Sequence, residues 1–373
     1  MKKKIKLLTI IGTRPEIIRL SRILPKFDKY FDHTILHTGQ NYDENLSGIF
    51  FKDLNLRKPD FILENANTNN IKAISKILIE TDKIINKIEP DAVFILGDTN
   101  SSLSSIVAKK RQIPIFHYEA GNRCFDQRVP EETNRKIVDS ISDINLTYSK
   151  ISREHLINEG FQSNRVINIG SPMLEVLEYF KNKIKKSNIL KNLKLKKNTY
   201  IVFSSHREEN VDNLDNFKNL VNILNFLNET FNCKIVVSVH PRIKGKIKNL
   251  DKKKLNKIIF CKPFSFTDYI KLQINSKMVI SDSGTINEES SILGFKAINI
   301  RNSHERPEAD EEGTSIMTGL NAPKVNQAVN FFMNNKEEKI NIVNDYRNQN
   351  ISDKLVKIVM SFVGFINENN YKK

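Results

Sequence analysis

The chain lacks the features that would place it among disulfide-built, membrane or dinucleotide-binding proteins. Its three cysteines, Cys124, Cys233 and Cys261, lie far apart and without metal-type spacing. That usage fits a reducing compartment and gives no reason to expect a structural zinc or any other metal. No run approaches the roughly 20 continuous apolar residues that a membrane span requires. The opening lysines lead directly into a strand pattern with no signal-peptide core, so a cytoplasmic protein with no membrane partner is expected. No Gly-x-Gly-x-x-Gly follows any strand-like run, which argues against NAD. Internal repeats and low-complexity tracts are likewise missing.

What is present is 373 residues, 39% hydrophobic and 27% charged, enough for two domains of ordinary size. The net charge of +16 invites a nucleic-acid reading. Yet the lysines concentrate in 181–197 and 244–257 without interleaved aromatic residues, so a basic solvated surface and no nucleic-acid partner is the expectation.

Short apolar runs alternate with helical patterns along almost the whole length. Strands are expected at 6–11, 34–37, 92–96, 115–118, 144–147 and 166–169, then at 200–204, 234–238, 257–261, 278–281, 297–300 and 314–317. Between them lie amphipathic segments such as 15–26, 71–88, 131–141, 214–227 and 288–293. Apolar strands alternating with helices predict an α/β protein with parallel sheets covered on both faces. The series breaks at Gly170-Ser171-Pro172. The expected architecture is two doubly wound Rossmann-like domains facing each other across a cleft, over 1–170 and 199–373 with 171–198 connecting them. A last helix at about 352–367 could pack on either.

In open parallel sheets ligands bind outside the carboxyl ends of the strands. The first strand delivers Gly12-Thr13-Arg14-Pro15-Glu16 to a helix start, which reads as an anion site built from a glycine, a cation and unpaired N–H groups. Gly97-Asp98-Thr99-Asn100, Glu119-Ala120-Gly121, Ser205-His206-Arg207 and Asp282-Ser283-Gly284 stand at other strand ends. Asp98 and Glu119 end separate strands, where carboxylates can converge and acquire the shifted pKa values that proton transfer needs. His206 would add a cation or proton donor. The Asp282–Glu289 run reads as a diphosphate cradle, with Ser283 as ligand and Glu289 placed to accept from ribose hydroxyls; an ordinary capping box is the competing reading. Glu131-Glu132 opens a helix, where acids often only complement the dipole. The loop 301–308 carries two arginines, a histidine and two acids, as either a site or a solvated ion-pair loop. His33, His117, His155 and His240 read as structural.

Together these landmarks resemble the non-hydrolysing UDP-N-acetylglucosamine 2-epimerases over nearly the whole chain. The motifs are Gly12-Thr13-Arg14-Pro15-Glu16, Thr38-Gly39-Gln40, Gly97-Asp98-Thr99, Glu119-Ala120-Gly121, Pro130-Glu131-Glu132-x-Asn134-Arg135, His206-Arg207-x-Glu209-Asn210, Asp282-Ser283-Gly284 and Glu305-Arg306-Pro307-Glu308. The resemblance implies a glycosyltransferase-B-type pair of Rossmann-like domains and a UDP-2-acetamido sugar inverted at C2, with no cofactor. It implies Asp98, Glu119, Glu131 and His206 as the catalytic set. Arg14, Arg19, Arg135, Ser283, Gly284, Glu289 and Arg306 are the implied substrate and UDP ligands, and the implied assembly is a homodimer. A UDP-sugar glycosyltransferase of the same architecture is the rival enzyme class. Four departures stand out: Arg19 in place of lysine, Asn41 in place of histidine, Glu208 in place of arginine, and the segment 122–130. That last segment resembles the branch acting on UDP-2-acetamido-2,6-dideoxy-L-talose, giving UDP-N-acetyl-L-fucosamine, or on UDP-2,3-diacetamido uronic acids. Arg123, Arg128 and Arg301 could each favour an acidic sugar or hold phosphate.

Overall fold

A computed structural model describes residues 4–40, 44–64, 70–205, 213–239, 255–335 and 339–373. The chain divides into two compact units, Met1–Glu178 with Asp345–Lys373, and Tyr179–Asn344.

The first unit holds a seven-stranded parallel sheet in the order β3-β2-β1-β4-β5-β6-β7. Its strands are β1 (Lys6–Ile11), β2 (Asp32–His37), β3 (Phe61–Ile62), β4 (Ala92–Leu96), β5 (Ile115–Tyr118), β6 (Ile144–Thr147) and β7 (Val166–Asn168). The central strands are buried on both faces, as their unbroken apolar runs require. Leu8, Ile10, Val93, Ile95 and Ile115 pack on one face with Ile84, Ile85, Val107 and Ala108 from the covering helices.

The second unit holds a six-stranded parallel sheet in the order β10-β9-β8-β11-β12-β13. Its strands are β8 (Tyr200–Ser205), β9 (Lys234–Val239), β10 (Ile258–Cys261), β11 (Met278–Ser281), β12 (Ala297–Asn299) and β13 (Ile316–Met317). Separate apolar clusters cover its two faces, one around Phe203, Ile280 and Val329, the other around Val202, Val279 and Ile286. Each unit is therefore a doubly wound Rossmann-like domain. The strand order reverses direction between β1 and β4 in one and between β8 and β11 in the other, the places where such sheets bind ligands.

Two details differ from the sequence pattern. The expected helix 15–26 is two helices, Arg14–Leu20 and Ile23–Tyr30. Pro25 has no N–H to give Ser21, so one continuous helix would lose a bond and clash; restarting at Ile23 puts the proline in a first turn, where no donor is needed. The short strand β3 was not anticipated. The closing helix, Ile351–Ile366, belongs to the first unit, where Lys26 Nζ meets Asp353 Oδ1 at 2.6 Å and the Ser352 amide donates to Glu175 Oε2 at 3.0 Å. Among the described residues no helix is long and apolar enough to cross a membrane.

Candidate active site

In the first unit the polar residues collect where β1, β4 and β5 end and where the helix Pro130–Ile141 begins. Register pairs Leu96 with Tyr118, so Glu119 leaves its strand level with Gly97 and Asp98 follows one residue further along the adjacent strand. A side chain added at Gly97 would lie 3.5 Å from Glu119 Oε2, so the Glu119 carboxylate stands over the residue preceding Asp98. Glu119 is buried and has φ +70°, the left-handed region that a non-glycine residue enters only when its surroundings hold it there.

Each acid has its own arginine. Arg19 Nη1 donates to Glu119 Oε2 at 2.5 Å, and Arg135 Nη2 forms an ion pair with Asp98 Oδ2. Both arginines are buried. Both are among the expected substrate ligands, and these pairs hold the two carboxylates in place. Asn134 adds a donor to the Asp98 carbonyl at 2.9 Å. The helix that supplies Asn134 and Arg135 starts with proline at its first position, and Glu131 and Glu132 follow in the same turn. These two acids separate by role. Glu132 is buried and accepts the Cys124 amide at 3.0 Å, whereas Glu131 stands half-buried one turn before Arg135.

The junction after β1 is not the vacant anion cradle that its sequence suggests. The Gly12 and Thr13 amides donate to Glu16 Oε2 at 2.5 and 3.2 Å, so the helix fills its own N-terminus with an internal carboxylate. Thr99 Oγ1 donates to Glu16 Oε1 at 2.8 Å, tying this junction to the one that bears Asp98. Burial pushes the Glu16 carboxyl up to about 7, against the lowering effect of those hydrogen bonds. Sequence reasoning passed over Glu16 as a chemical group; its place after Arg-Pro in a first helical turn was the available signal. Gly12 itself is needed for close approach, because a side chain there would collide with Ser101 Oγ and Thr38 Oγ1. Arg14 is half-buried beside Phe50, 5.9 Å from the ring centroid, and desolvation lowers its pKa.

The two arginines of segment 122–130 are already engaged. Arg123 is buried, donating from Nη1 to Asp139 at 2.7 Å and from Nε and Nη2 to Glu159 at 2.8 and 2.6 Å. Arg128 is exposed and forms a two-pronged pair with Asp126.

In the second unit, β11 ends in buried Asp282, which accepts from Ser205 Oγ at 2.7 Å across the switch point. Ser283, Gly284 and Thr285 then lead into the helix Ile286–Leu293. Ser283 Oγ accepts the Thr285 amide at 3.3 Å, and Thr285 Oγ1 donates to Glu289 Oε1 at 2.8 Å. Gln273 donates to Glu289 Oε2 at 2.7 Å. Both Glu289 oxygens are thus oriented by protein donors at the start of the helix. Buried Arg301 reaches over the turn, with Nη1 3.4 Å from the position a Gly284 side chain would occupy and its Nε unpartnered. Arg306, expected as a UDP ligand, is buried with its Nη2 3.4 Å from buried Glu288 Oε2. His206, with Asn41 and Glu208, lies outside the described residues.

Comparison with known proteins gives a consistent picture. The model of the family described as UDP-N-acetylglucosamine 2-epimerase matches residues 26–360. The solved structure of UDP-N-acetylglucosamine 2-epimerase from Rickettsia bellii is similar at 47% identity and a TM-score of 0.92, over 99% of this chain and 100% of that one. UDP-N-acetylglucosamine 2-epimerase of Methanocaldococcus jannaschii is 36% identical over 95% of this chain and 98% of its own length. Its crystal structure in complex with UDP-GlcNAc and UDP superposes with a TM-score of 0.87, covering 96% of this chain and 100% of that one. UDP-2,3-diacetamido-2,3-dideoxy-D-glucuronate 2-epimerase of Pseudomonas aeruginosa is 32% identical, over 84% of this chain and 88% of its own.

Proposed function

The chain belongs to the UDP-N-acetylglucosamine 2-epimerase family, and from that premise we propose that it inverts C2 of a UDP-2-acetamido sugar without hydrolysing it. The C2 hydrogen of such a sugar is not next to a carbonyl, so simple deprotonation would leave an unstabilised carbanion. A carboxylate taking the C2 proton while the C1–O bond breaks avoids that species. The electron pair leaves with UDP, and a C1=C2 double bond forms, giving a 2-acetamidoglycal. A carboxylic acid on the opposite face then returns a proton to C2 as the UDP oxygen adds back to C1. The reaction needs acids for both faces and cations for the charge developing on UDP.

Asp98, Glu119 and Glu131 are the proposed proton carriers, with His206 beside the leaving diphosphate. The observation that carries this reading is the delivery of Asp98 and Glu119 from adjacent strand ends, the Glu119 carboxylate over Gly97. Ser283, Gly284 and Glu289 are the proposed UDP ligands. Arg301 joins them, being the buried guanidinium over Gly284. Arg14, half-buried and desolvated, is the proposed diphosphate ligand from the first unit.

For the sugar itself we favour one neutral at C6, as in UDP-N-acetylglucosamine or its 6-deoxy relatives, over a uronic acid. Arg123 and Arg128, the cations available in segment 122–130, are committed to Asp139, Glu159 and Asp126. The role that follows is supply of surface-polysaccharide precursors, by a homodimer as the family resemblance suggests. Purified protein incubated in D2O with UDP-N-acetylglucosamine, the 6-deoxy-talose sugar or the uronic acid, without acceptor, tests the reading by NMR at C2. Deuterium entering C2 with inversion is the expected result for a neutral sugar. Exchange with the uronate alone overturns the C6 assignment, and exchange with none favours a glycosyltransferase.

A further inference from the structure

Asp139 takes no part in the proton transfers above, yet its carboxylate grips the chain around one of the two acids and touches the His117 ring, which reaches the neighbour of the other. It lies about two turns beyond Glu131 on the helix Pro130–Ile141 and is fully buried. Its Oδ1 stands 2.9 Å from His117 Nδ1. Its Oδ2 accepts from Arg123 Nη1 at 2.7 Å, and both oxygens lie 3.3 Å from the Gly121 amide. His117 and Gly121 are the residues two before and two after Glu119. On the other side of its ring, His117 Nε2 lies 2.9 Å from the Gly97 carbonyl, the residue before Asp98.

The backbone explains why such a grip is needed. Glu119 sits at φ +70°, a conformation that strains a residue with a side chain. Gly121 is also left-handed, at φ +75°, and a side chain there would collide with the Ser152 carbonyl. Burial alone would raise the Asp139 pKa, but His117 and Arg123 outweigh it and hold the group below its usual range as a carboxylate. Glu159, exposed at the edge of the cluster, takes Nε and Nη2 of Arg123 and so fixes the guanidinium against Asp139.

We propose that Asp139 is a positioning residue for the epimerisation: it fixes Glu119 in its left-handed turn and, through His117, sets the Gly97–Asp98 loop. The inference rests on the reading of Asp98 and Glu119 as proton carriers. The bland alternative is that the cluster only supports the fold, and the two differ in what they do to kinetics.

The test uses the full chain with Asp139→Asn, whose volume is nearly unchanged. A misplacement of about 1 Å can cost 10²-fold in rate, so kcat for C2 inversion is expected to fall about 10²-fold, with KM and UDP affinity within about threefold. The His117 ring 15N resonances are expected to shift, because their charged partner is gone. His117→Asn provides a second variant that leaves the buried carboxylate in place but is too short to reach Gly97, and a fall of about tenfold or more in kcat is expected. Wild-type kcat in either variant overturns the proposal. So does a loss of kcat that merely tracks loss of UDP affinity and melting temperature. A wild-type protein that exchanges no C2 hydrogen overturns the underlying reading as well, and is distinguished by needing no variant at all.

Discussion

Asp98 and Glu119 are the same kind of group in similar places, and the protein treats them alike by giving each a buried arginine from another element. Arg19 reaches Glu119 from the helix after β1, and Arg135 reaches Asp98 from the helix after segment 122–130. A guanidinium presents its donors in a fixed fork, so it aims a carboxylate as well as pairing with it. Replacing Asp98 by Asn or Glu119 by Gln keeps the shape and removes the proton carrier. General acid–base groups contribute roughly 10²–10⁴-fold, so kcat is expected to fall by that factor while calorimetry shows UDP affinity little changed. Turnover like the wild type's in both variants would remove these residues from the mechanism. Glu16 makes a different prediction, on stability. The folded protein keeps this carboxyl protonated up to about pH 7, whereas the unfolded chain releases the proton near 4.5. Between those values the folded state binds more protons, so stability falls as pH rises from about 4.5 to about 7 and levels off above. The span corresponds to a loss on the order of 3 kcal/mol. Gln fits the same bonds, its oxygen accepting the Gly12 and Thr13 amides and its nitrogen facing Thr99. Glu16→Gln is therefore expected to flatten the urea-midpoint profile between pH 5 and 7; profiles parallel to the wild type's would show that another group sets the slope.

The elements were legible in the sequence to the extent that their burial was uniform. Strands such as β4 and β11 show as unbroken apolar runs because both faces are covered, and the acids at their ends stand out against those runs. β3, with two residues, is too short to carry a pattern. The joined reading of 15–26 failed because periodicity continues through Ser21 and Arg22 while the backbone does not. At the site, the acids could be picked out from their place at strand ends, but their arginines could not be paired with them. Arg19 and Glu119 are 100 residues apart, and no local spacing encodes that contact. Glu16 is the opposite case: its bonds to the Gly12 and Thr13 amides have the local spacing of a capping box, and they convert an apparent anion site into a closed turn. Gly12 shows what this junction demands. A methyl group there must push back Ser101 and Thr38, whose hydroxyls meet at 2.6 Å and join the ends of β2 and β4 across β1. Overpacking of this kind costs roughly 1–3 kcal/mol, so Gly12→Ala is expected to lower the urea midpoint correspondingly and to reduce kcat through the Thr99–Glu16 link. An unchanged midpoint would mean that the junction yields more easily than its contacts suggest.

At the scale of the whole molecule, the order of the chain and the order of the units diverge. The sequence alternates strands and helices to its end, and nothing in the pattern of 352–367 says which sheet that helix serves. The choice is made by tertiary partners: Leu355, Val359, Val363 and Ile366 are buried, Lys26 pairs with Asp353, Ser352 bonds Glu175, and Tyr371 bonds Asp143. Four buried aliphatic side chains at about 1.5–3 kcal/mol each amount to roughly 6–12 kcal/mol before entropy, comparable with the 5–15 kcal/mol that typically separates a folded domain from its unfolded chain. The first unit therefore depends on a segment distant in sequence, while the second, Tyr179–Asn344, is continuous and owes that helix nothing in its own core. A chain ending at Asn344 should separate the two. Hydrogen exchange is expected to show the first unit's sheet losing protection, and β8, β11 and the Ile286–Leu293 helix keeping theirs, with UDP still adding protection around Ser283–Glu289. Retained protection in β1, β4 and β5 would show that the first sheet stands without its last helix, and the order of dependence argued from its contacts would be wrong.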